Sequence, residues 1–207
     1  MQDVLTLHNI RKQFYDTHKE TILVLDNVNI RLSPGECAGL VGPSGSGKTT
    51  LLQIAGLLDN PTSGDIFING NRHCEKLSQE KKNLIRKKNI GFVYQNFLLL
   101  ESFSALENII MPQLINGSKF DDARSRAIEL LKELGLFKRM HNKPKELSAG
   151  EKQRVAILRA IANKPKIILA DEPTGNLDKS NSDNVLKIIK DLIGNYKVSF
   201  LIATHNL

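Results

Sequence analysis

The sequence predicts an α/β fold with a mainly parallel central sheet, a small antiparallel β layer and an inserted helical subdomain. Three observations lead there. Short apolar runs bounded by breakers alternate with segments of helical periodicity, the pattern of a parallel sheet wrapped by helices. Two early segments instead alternate apolar and polar residues, as half-buried strands do. One stretch, residues 96–145, carries helical patterns but no strong strand.

Taken in chain order, residues 4–10 and 24–32 are the alternating segments and are read as strands of the antiparallel layer. Residues 38–41 form a short apolar strand that runs into a glycine-rich stretch. Residues 48–58 repeat their apolar side chains at helical spacing. Residues 65–68 read as a strand entering a tight turn at Asn69-Gly70, a dipeptide suited to positive φ. Residues 90–94, 167–170 and 198–203 complete the central strands, each expected to be covered on both faces. Residues 121–134, 151–163 and 181–193 are read as helices. A chain of 207 residues is long enough to bury a sizeable core, and it reads as one domain, 1–207, with its helical subdomain at about 96–145.

Composition narrows the function classes. The chain is 41% hydrophobic and 25% charged, as ordinary globular proteins are. No apolar run approaches the roughly 20 residues of a membrane-spanning helix, and the N-terminus lacks the basic-then-apolar build of a signal peptide. A cytosolic location is expected. The net charge is +7, densest at Lys81, Lys82, Arg86, Lys87 and Lys88. This run reads as a solvated, mostly helical face, with contact to lipid headgroups or a partner as the alternative. Aromatic platforms for stacking single strands are not evident, so no nucleic-acid partner is expected. Cys37 and Cys74 stand alone without metal-type spacing and read as reduced, partly buried thiols.

The strongest motif is Gly42-Pro43-Ser44-Gly45-Ser46-Gly47-Lys48-Thr49, followed by Thr50. It matches the phosphate-loop pattern, with a strand before it and a helix after it. Its glycines let backbone N–H groups converge on phosphate oxygens, and the helix N-terminus adds partial positive charge. Lys48 supplies a full charge to the β- and γ-phosphates, and Thr49 offers its hydroxyl to Mg²⁺. ATP and Mg²⁺ are the expected cofactors.

The second motif is an apolar strand ending in Asp171-Glu172. Ligands of open α/β sheets bind beyond the carboxyl ends of the strands, where this pair falls. Side chains alternate along a strand, so the two acids point differently. Asp171 suits the magnesium shell and Glu172 suits orienting and deprotonating an attacking water. The third is Leu147-Ser148-Ala149-Gly150-Glu151 at a helix start, where Ser148 can cap the helix while nearby amides face an anion. Alone, such a cap is commonplace; its place shortly before Asp171 makes it informative.

This third motif resembles the ABC signature, commonly Leu-Ser-Gly-Gly-Gln, with Ala149 and Glu151 as departures. The resemblance implies that two copies clamp two Mg·ATP between them, Ser148 and Gly150 of one copy serving the nucleotide of the other. It implies further roles in chain order. Gln95 resembles the Q-loop glutamine at the magnesium shell. Asp178, in Asn176-Leu177-Asp178, resembles the D-loop at the dimer seam. His205 resembles the H-loop histidine. An aromatic near the first strand stacks on adenine in such proteins. Counting from Asn9 favours Phe14, counting back from Leu25 favours Tyr15, and Phe14 is carried forward.

Within the family the closest likeness is to the ATPase of the bacterial lipoprotein-releasing system. It is carried by Leu58-Asp59-Asn60-Pro61-Thr62-Ser63-Gly64-Asp65, Gly91-Phe92-Val93-Tyr94-Gln95, Ser104-Ala105-Leu106-Glu107-Asn108-Ile109-Ile110-Met111-Pro112 and Ala170-Asp171-Glu172-Pro173-Thr174-Gly175-Asn176-Leu177-Asp178. Relatives in macrolide export and cell division share much of this pattern. The resemblance implies an ATPase subunit, peripheral on the cytoplasmic face of the bacterial inner membrane, that pairs as a homodimer and docks on integral membrane subunits. A cytosolic non-transport ABC protein and an inactive cassette are the other readings. Two cassettes or a long coiled-coil insertion would favour the first and are not seen; intact Lys48, Asp171, Glu172 and His205 speak against the second. The chain stops two residues after His205, where the resemblance implies a further helix and short strands, so a truncated C-terminus is expected.

Overall fold

A computed structural model describes residues 2–15, 17, 20–73 and 77–205. Among these, the elements in order are β1 (Leu5–Tyr15), β2 (Thr21–Leu32), β3 (Cys37–Val41), α1 (Lys48–Ala55), β4 (Ser63–Ile68), β5 (Asn71–His73), α2 (Gln79–Asn89) and β6 (Ile90–Tyr94). There follow α3 (Ala105–Ile115), α4 (Phe120–Glu133), α5 (Ala149–Ile161), β7 (Ile167–Asp171), α6 (Lys179–Tyr196) and β8 (Ser199–Thr204). Two sheets form. One is antiparallel, in the order β2-β1-β4-β5, and the other parallel, in the order β3-β8-β7-β6.

The parallel sheet explains why its strands read as unbroken apolar runs. Along β7, Ile167 and Leu169 pack toward α1 and the antiparallel sheet, while Ile168 and Ala170 pack toward the helices. On β8, Leu201 and Ala203 face the first side and Phe200 the second. Both faces are buried, so no polar alternation survives. Phe200 is fully enclosed; truncating such a side chain costs about 3–5 kcal/mol in general. Between β6 and α5 the described residues form only helices and short 3-10 turns. Their core, which includes Ile109, Ala127, Leu130 and Leu131, is continuous with that of α5 and α6.

Several expectations shift at their edges. The strand expected at residues 4–10 runs on to Tyr15, with irregular register between Leu7 and Gln13. Asn9 and, on β2, Asn27 sit at φ 51, a left-handed geometry asparagine tolerates better than branched residues. The helix expected to reach Leu58 ends at Ala55, and Leu57 turns to φ 57. A Cβ on Gly56 would lie 2.1 Å from the Phe92 ring, so the chain passes flat under that ring. The short strand β5 was not predicted. Its pairing with β4 follows the Asn69-Gly70 turn, both residues at positive φ. β3, expected to be covered on both faces, is an edge strand with Cys37, Gly39 and Val41 exposed. Cys37 is thus exposed rather than partly buried, and Cys74 lies outside the described residues.

The basic run does form a helix, α2, capped by Ser78. It is not uniformly solvated. Lys82 is buried and donates to Asn60 Oδ1, and Arg86 donates to the Leu57 carbonyl at 2.5 Å. The two cations tie α2 to the chain leaving α1.

Candidate active site

The phosphate loop is built between β3 and α1. Gly45 and Gly47 take φ of 80 and 86, where a side chain is strained. Gly47 is the N-cap of α1 and offers no side-chain cap, so the first amides of the helix stay free for an anion. A Cβ there would also press within 3.0 Å of Leu25 Cδ2 and the Val24 carbonyl oxygen. Lys48 folds back across the loop, its Nζ donating to the carbonyls of Gly42 at 2.7 Å and Pro43 at 2.9 Å. The Ser46 N–H donates to the Pro43 carbonyl at 3.3 Å.

The paired carboxylates diverge as strand alternation requires. Asp171 Oδ2 accepts the Thr49 hydroxyl at 2.9 Å, joining the strand end to the loop. Glu172 stands at φ 45, its N–H donating to the Ala203 carbonyl at 2.9 Å. A non-glycine residue held there carries strain of order 1–3 kcal/mol, a feature that clusters at working sites. Its Oε1 lies 2.7 Å from His205 Nδ1, and its Oε2 accepts the Thr204 hydroxyl at 3.3 Å. Glu172 therefore caps no helix; β8 holds it from the side.

Val24, Ser44, Gly45, Gly47, Lys48, Thr49, Thr50, Gln95, Asp171, Glu172 and His205 line one cavity of ≈ 380 Å³. Of the residues predicted for the site, Gly42, Pro43 and Ser46 support it from behind through the loop bonds above. Phe14, Ser148, Gly150 and Asp178 do not line it. Phe14 pairs with Ile22, and an irregularity in the β1–β2 register falls next to it, opposite Val24. Tyr15 pairs with Thr21 on the other face. Of the two aromatics Phe14 is the less exposed, 41% against 74% for Tyr15, and has the Lys12 ammonium 4.8 Å from its ring centre.

Ser148 caps α5 in a reciprocal box. Its hydroxyl accepts the Glu151 N–H at 3.2 Å, and Glu151 Oε2 accepts the Ser148 N–H at 2.8 Å. That backbone bond, with smaller help from Arg139, holds the Glu151 carboxyl below the usual range. Gly150 is buried, and a Cβ there would fall 2.1 Å from Asn181 Oδ1, so a larger residue would have to displace the Asn181 side chain. Asp178 caps α6, accepting from Asn181 N–H at 2.9 Å and from Asn181 Nδ2 at 2.6 Å. These bonds lower its pKa. Asn181 thus touches both turns.

Three supporting residues, Arg159, Gln153 and Val24, were given no site role from sequence, and a fourth, Asn176, was named only as part of Asn176-Leu177-Asp178. Asn176 and Gln95 are linked twice: the Asn176 amide donates to the Gln95 carbonyl at 2.9 Å, and the Gln95 amide donates to Asn176 Oδ1 at 3.3 Å. Arg159 on α5 donates to the carbonyls of Phe97, at 2.8 Å, and Leu98, two successive left-handed residues with φ 60 and 45. Gln153, fully buried, donates to the Pro173 carbonyl at 2.6 Å, tying α5 to the turn after Glu172. Val24 closes one side of the cavity. Arginine and glutamine are common enough that no pattern marked them.

A second, larger groove of ≈ 820 Å³ is lined by Tyr94 and Leu98, between α2, β6 and the helical segment. Its exposed apolar wall includes Leu58, Leu84, Leu98 and Ile115. No helix among the described residues is long and apolar enough to cross a membrane.

Comparison with known proteins fits this geometry. The ABC transporter family matches residues 25–175. The chain is 47% identical over 205 residues to the lipoprotein-releasing system ATP-binding protein LolD 1 of Rhodospirillum rubrum, covering 99% of this chain and 90% of that one. It is 48% identical to the protein of that name, LolD, from Nitrobacter hamburgensis, covering 99% and 87%. Among solved structures it is similar to the dimeric ATP-binding cassette MJ0796 in a post-hydrolysis state bound to ADP and Pi. There the TM-score is 0.88 and the identity 38%, covering 98% of this chain and 88% of that one.

Proposed function

The chain belongs to the ABC transporter family, and from that premise we propose that it is the ATP-hydrolysing subunit of a lipoprotein-releasing transporter of the bacterial inner membrane. The reading is carried by one convergence: phosphate loop, paired carboxylates, Gln95 and His205 line a single cavity. The near-full-length likeness to lipoprotein-releasing relatives supports the cargo.

The donor set fits Mg²⁺. Thr49 and Asp171 present hard oxygens already 2.9 Å apart, and Gln95 adds an amide in the same cavity. Mg²⁺ is bound through one or two carboxylates together with substrate phosphates and waters, so no larger acidic cluster is required. Bound there, it would neutralise developing charge on the phosphates. Lys48 exchanges its two loop carbonyls for β- and γ-phosphate oxygens. Phe14 stacks on the adenine. Glu172, steadied by His205 and Thr204, takes the proton of the attacking water, and the segment at 96–145 acts as the helical subdomain.

A homodimer is the working form in this reading. Ser148, Gly150 and Asp178 lie away from the cavity of their own chain, which suits service to a nucleotide held by a second copy; the dimeric state of the similar cassette MJ0796 supports this. Ser148→Arg is the direct test. The arginine puts a bulky cation at the α5 N-terminus, so it is expected to abolish turnover while a nucleotide titration of the single subunit stays near wild type. Loss of binding by the single subunit would count against the two-copy arrangement.

The membrane subunits dock on the segment from Gln95 to Pro112 and the groove beside it. Leu98 and Leu100 are 57% and 43% exposed, while Leu99 between them packs against the core that Leu106 and Ile109 help to form. Buried Asn108 braces this loop, its amide accepting the Leu100 N–H at 2.8 Å and donating to the Ser104 carbonyl at 3.0 Å. Cysteines placed at Leu98 and Leu100 are expected to crosslink to the membrane subunits after copurification, whose identification fixes the cargo system. Silence at both positions while control cysteines on the antiparallel sheet crosslink would overturn the assignment.

A further inference from the structure

We infer that Arg139 is a positioning residue for the signature turn: by pairing with Glu151 it neutralises a carboxylate that would otherwise oppose the γ-phosphate arriving from a second copy. The inference rests on the two-copy reading above. Its starting point is a departure in the sequence. Where the family pattern commonly has glutamine, this chain has Glu151, a full negative charge in the first turn of α5. A carboxylate there is favourable for the helix, because it sits against the positive end of the dipole. The same end is what attracts a phosphate. An unpaired Glu151 therefore competes with the ligand for the same field and repels it.

The structure places a counter-charge on that carboxylate. Arg139 Nε lies 3.0 Å from Glu151 Oε1, while Oε2 is occupied by the Ser148 N–H at 2.8 Å. Both carboxylate oxygens are thus engaged. The Arg139 side chain is 52% exposed and that of Glu151 only 17%, so the guanidinium covers the carboxylate from the solvent side. Its backbone is fixed. Arg139 ends a 3-10 turn, Phe137–Arg139, its N–H donating to the Leu136 carbonyl at 2.9 Å and its carbonyl accepting from Asn142 N–H at 2.9 Å. The carbonyls of Met140 and Asn142 in turn accept the first amides of α3, each at 2.9 Å. The helical segment so delivers a cation to the signature turn from outside that turn.

An ordinary half-exposed ion pair contributes little to folding, so the distinguishing readout is the dependence of turnover on Mg·ATP. Arg139→Ala in the whole chain is expected to raise the KM roughly three- to tenfold, the scale of one charge at a helix terminus, with kcat changed by less than about twofold. In a Glu151→Gln background the same Arg139→Ala step is expected to leave the KM where it was, because no carboxylate remains to neutralise. Arg139→Lys, which keeps the charge, is expected to stay near wild type. Nucleotide titration of the single subunit is unmoved throughout. A KM rise of equal size in both backgrounds, a lysine variant as poor as alanine, or no rise at all overturns the proposal. Ser148→Arg separates the two levels. If it leaves turnover intact, the two-copy reading has failed. If it abolishes turnover while Arg139→Ala is silent, that reading stands and the role of Arg139 falls.

Discussion

Lys48→Ala is expected to weaken Mg·ATP binding by about 10- to 100-fold, with little change in thermal stability. Charge-assisted bonds to phosphate are worth about 1.5–3 kcal/mol each, and tenfold in affinity is about 1.4 kcal/mol. The gain on binding is a difference, because Lys48 leaves two loop carbonyls, at 2.7 and 2.9 Å, to reach the phosphates. Those carbonyls sit on an open loop and turn to water in the variant, so folding loses little. Among the described residues no other lysine or arginine lines the cavity, and the free amides at the α1 N-terminus hold the residual affinity. Isothermal titration with Mg·ATP checks this, alongside a melting curve. Unchanged affinity would remove the phosphate-loop reading and everything built on it.

The elements that were legible in the sequence are those whose pattern is set by burial on known faces. β6, β7 and β8 read correctly because both sides of each are covered and nothing polar interrupts Ile167 to Ala170. The features that were not legible depend on a neighbour distant in sequence. α1 ends early because Gly56 must pass beneath Phe92, a residue on β6. β5 exists because β4 offers it an edge. Lys82 and Arg86 look like any surface cations until Asn60 and the Leu57 carbonyl come beneath them.

The site divides the same way. The phosphate loop and the acid pair carry chemistry in consecutive residues, so spacing alone pointed to them. Their bracing does not. Gln95 is steadied by Asn176, and the left-handed pair Phe97 and Leu98 is held by Arg159 from the far end of the helix that Ser148 begins. One short helix thus presents the signature turn at its start and grips the groove-lining loop near its end. In the proposed assembly, a membrane subunit pressing on Leu98 would bear on Arg159 and so on α5, whose N-terminus carries Ser148.

Glu172→Gln is expected to lower steady-state turnover by roughly 10²- to 10⁴-fold, the usual contribution of general-base assistance, and to trap ATP between two copies. The argument starts from the geometry of the carboxylate. Glu172 leaves β7 in a left-handed turn, pinned by its N–H on Ala203 and by His205 and Thr204 on its two oxygens. It is thereby held beside the phosphate loop with a group able to accept a proton from water. Glutamine keeps the size and still accepts through Oε1 and donates through Nε2, so the turn and its contact with β8 survive. It cannot take a proton. It also removes one negative charge from a cavity that must receive the γ-phosphate, which favours closure of two copies around the nucleotide. His205, which contacts the residue at 172 through Nδ1, is expected to hold the nucleotide rather than to take the proton. Asp171→Asn is expected to behave differently. Its partner is Thr49 Oγ1 at 2.9 Å, so losing its charge weakens magnesium use while leaving the base in place, and raised Mg²⁺ recovers part of the rate. Turnover measured beside size-exclusion chromatography in Mg·ATP separates these outcomes: Glu172→Gln elutes as a dimer with little phosphate released, and wild type does not accumulate there. Near-normal phosphate release by Glu172→Gln would take the base assignment away from Glu172 and leave its bonds to His205 and Thr204 as a brace between β7 and β8.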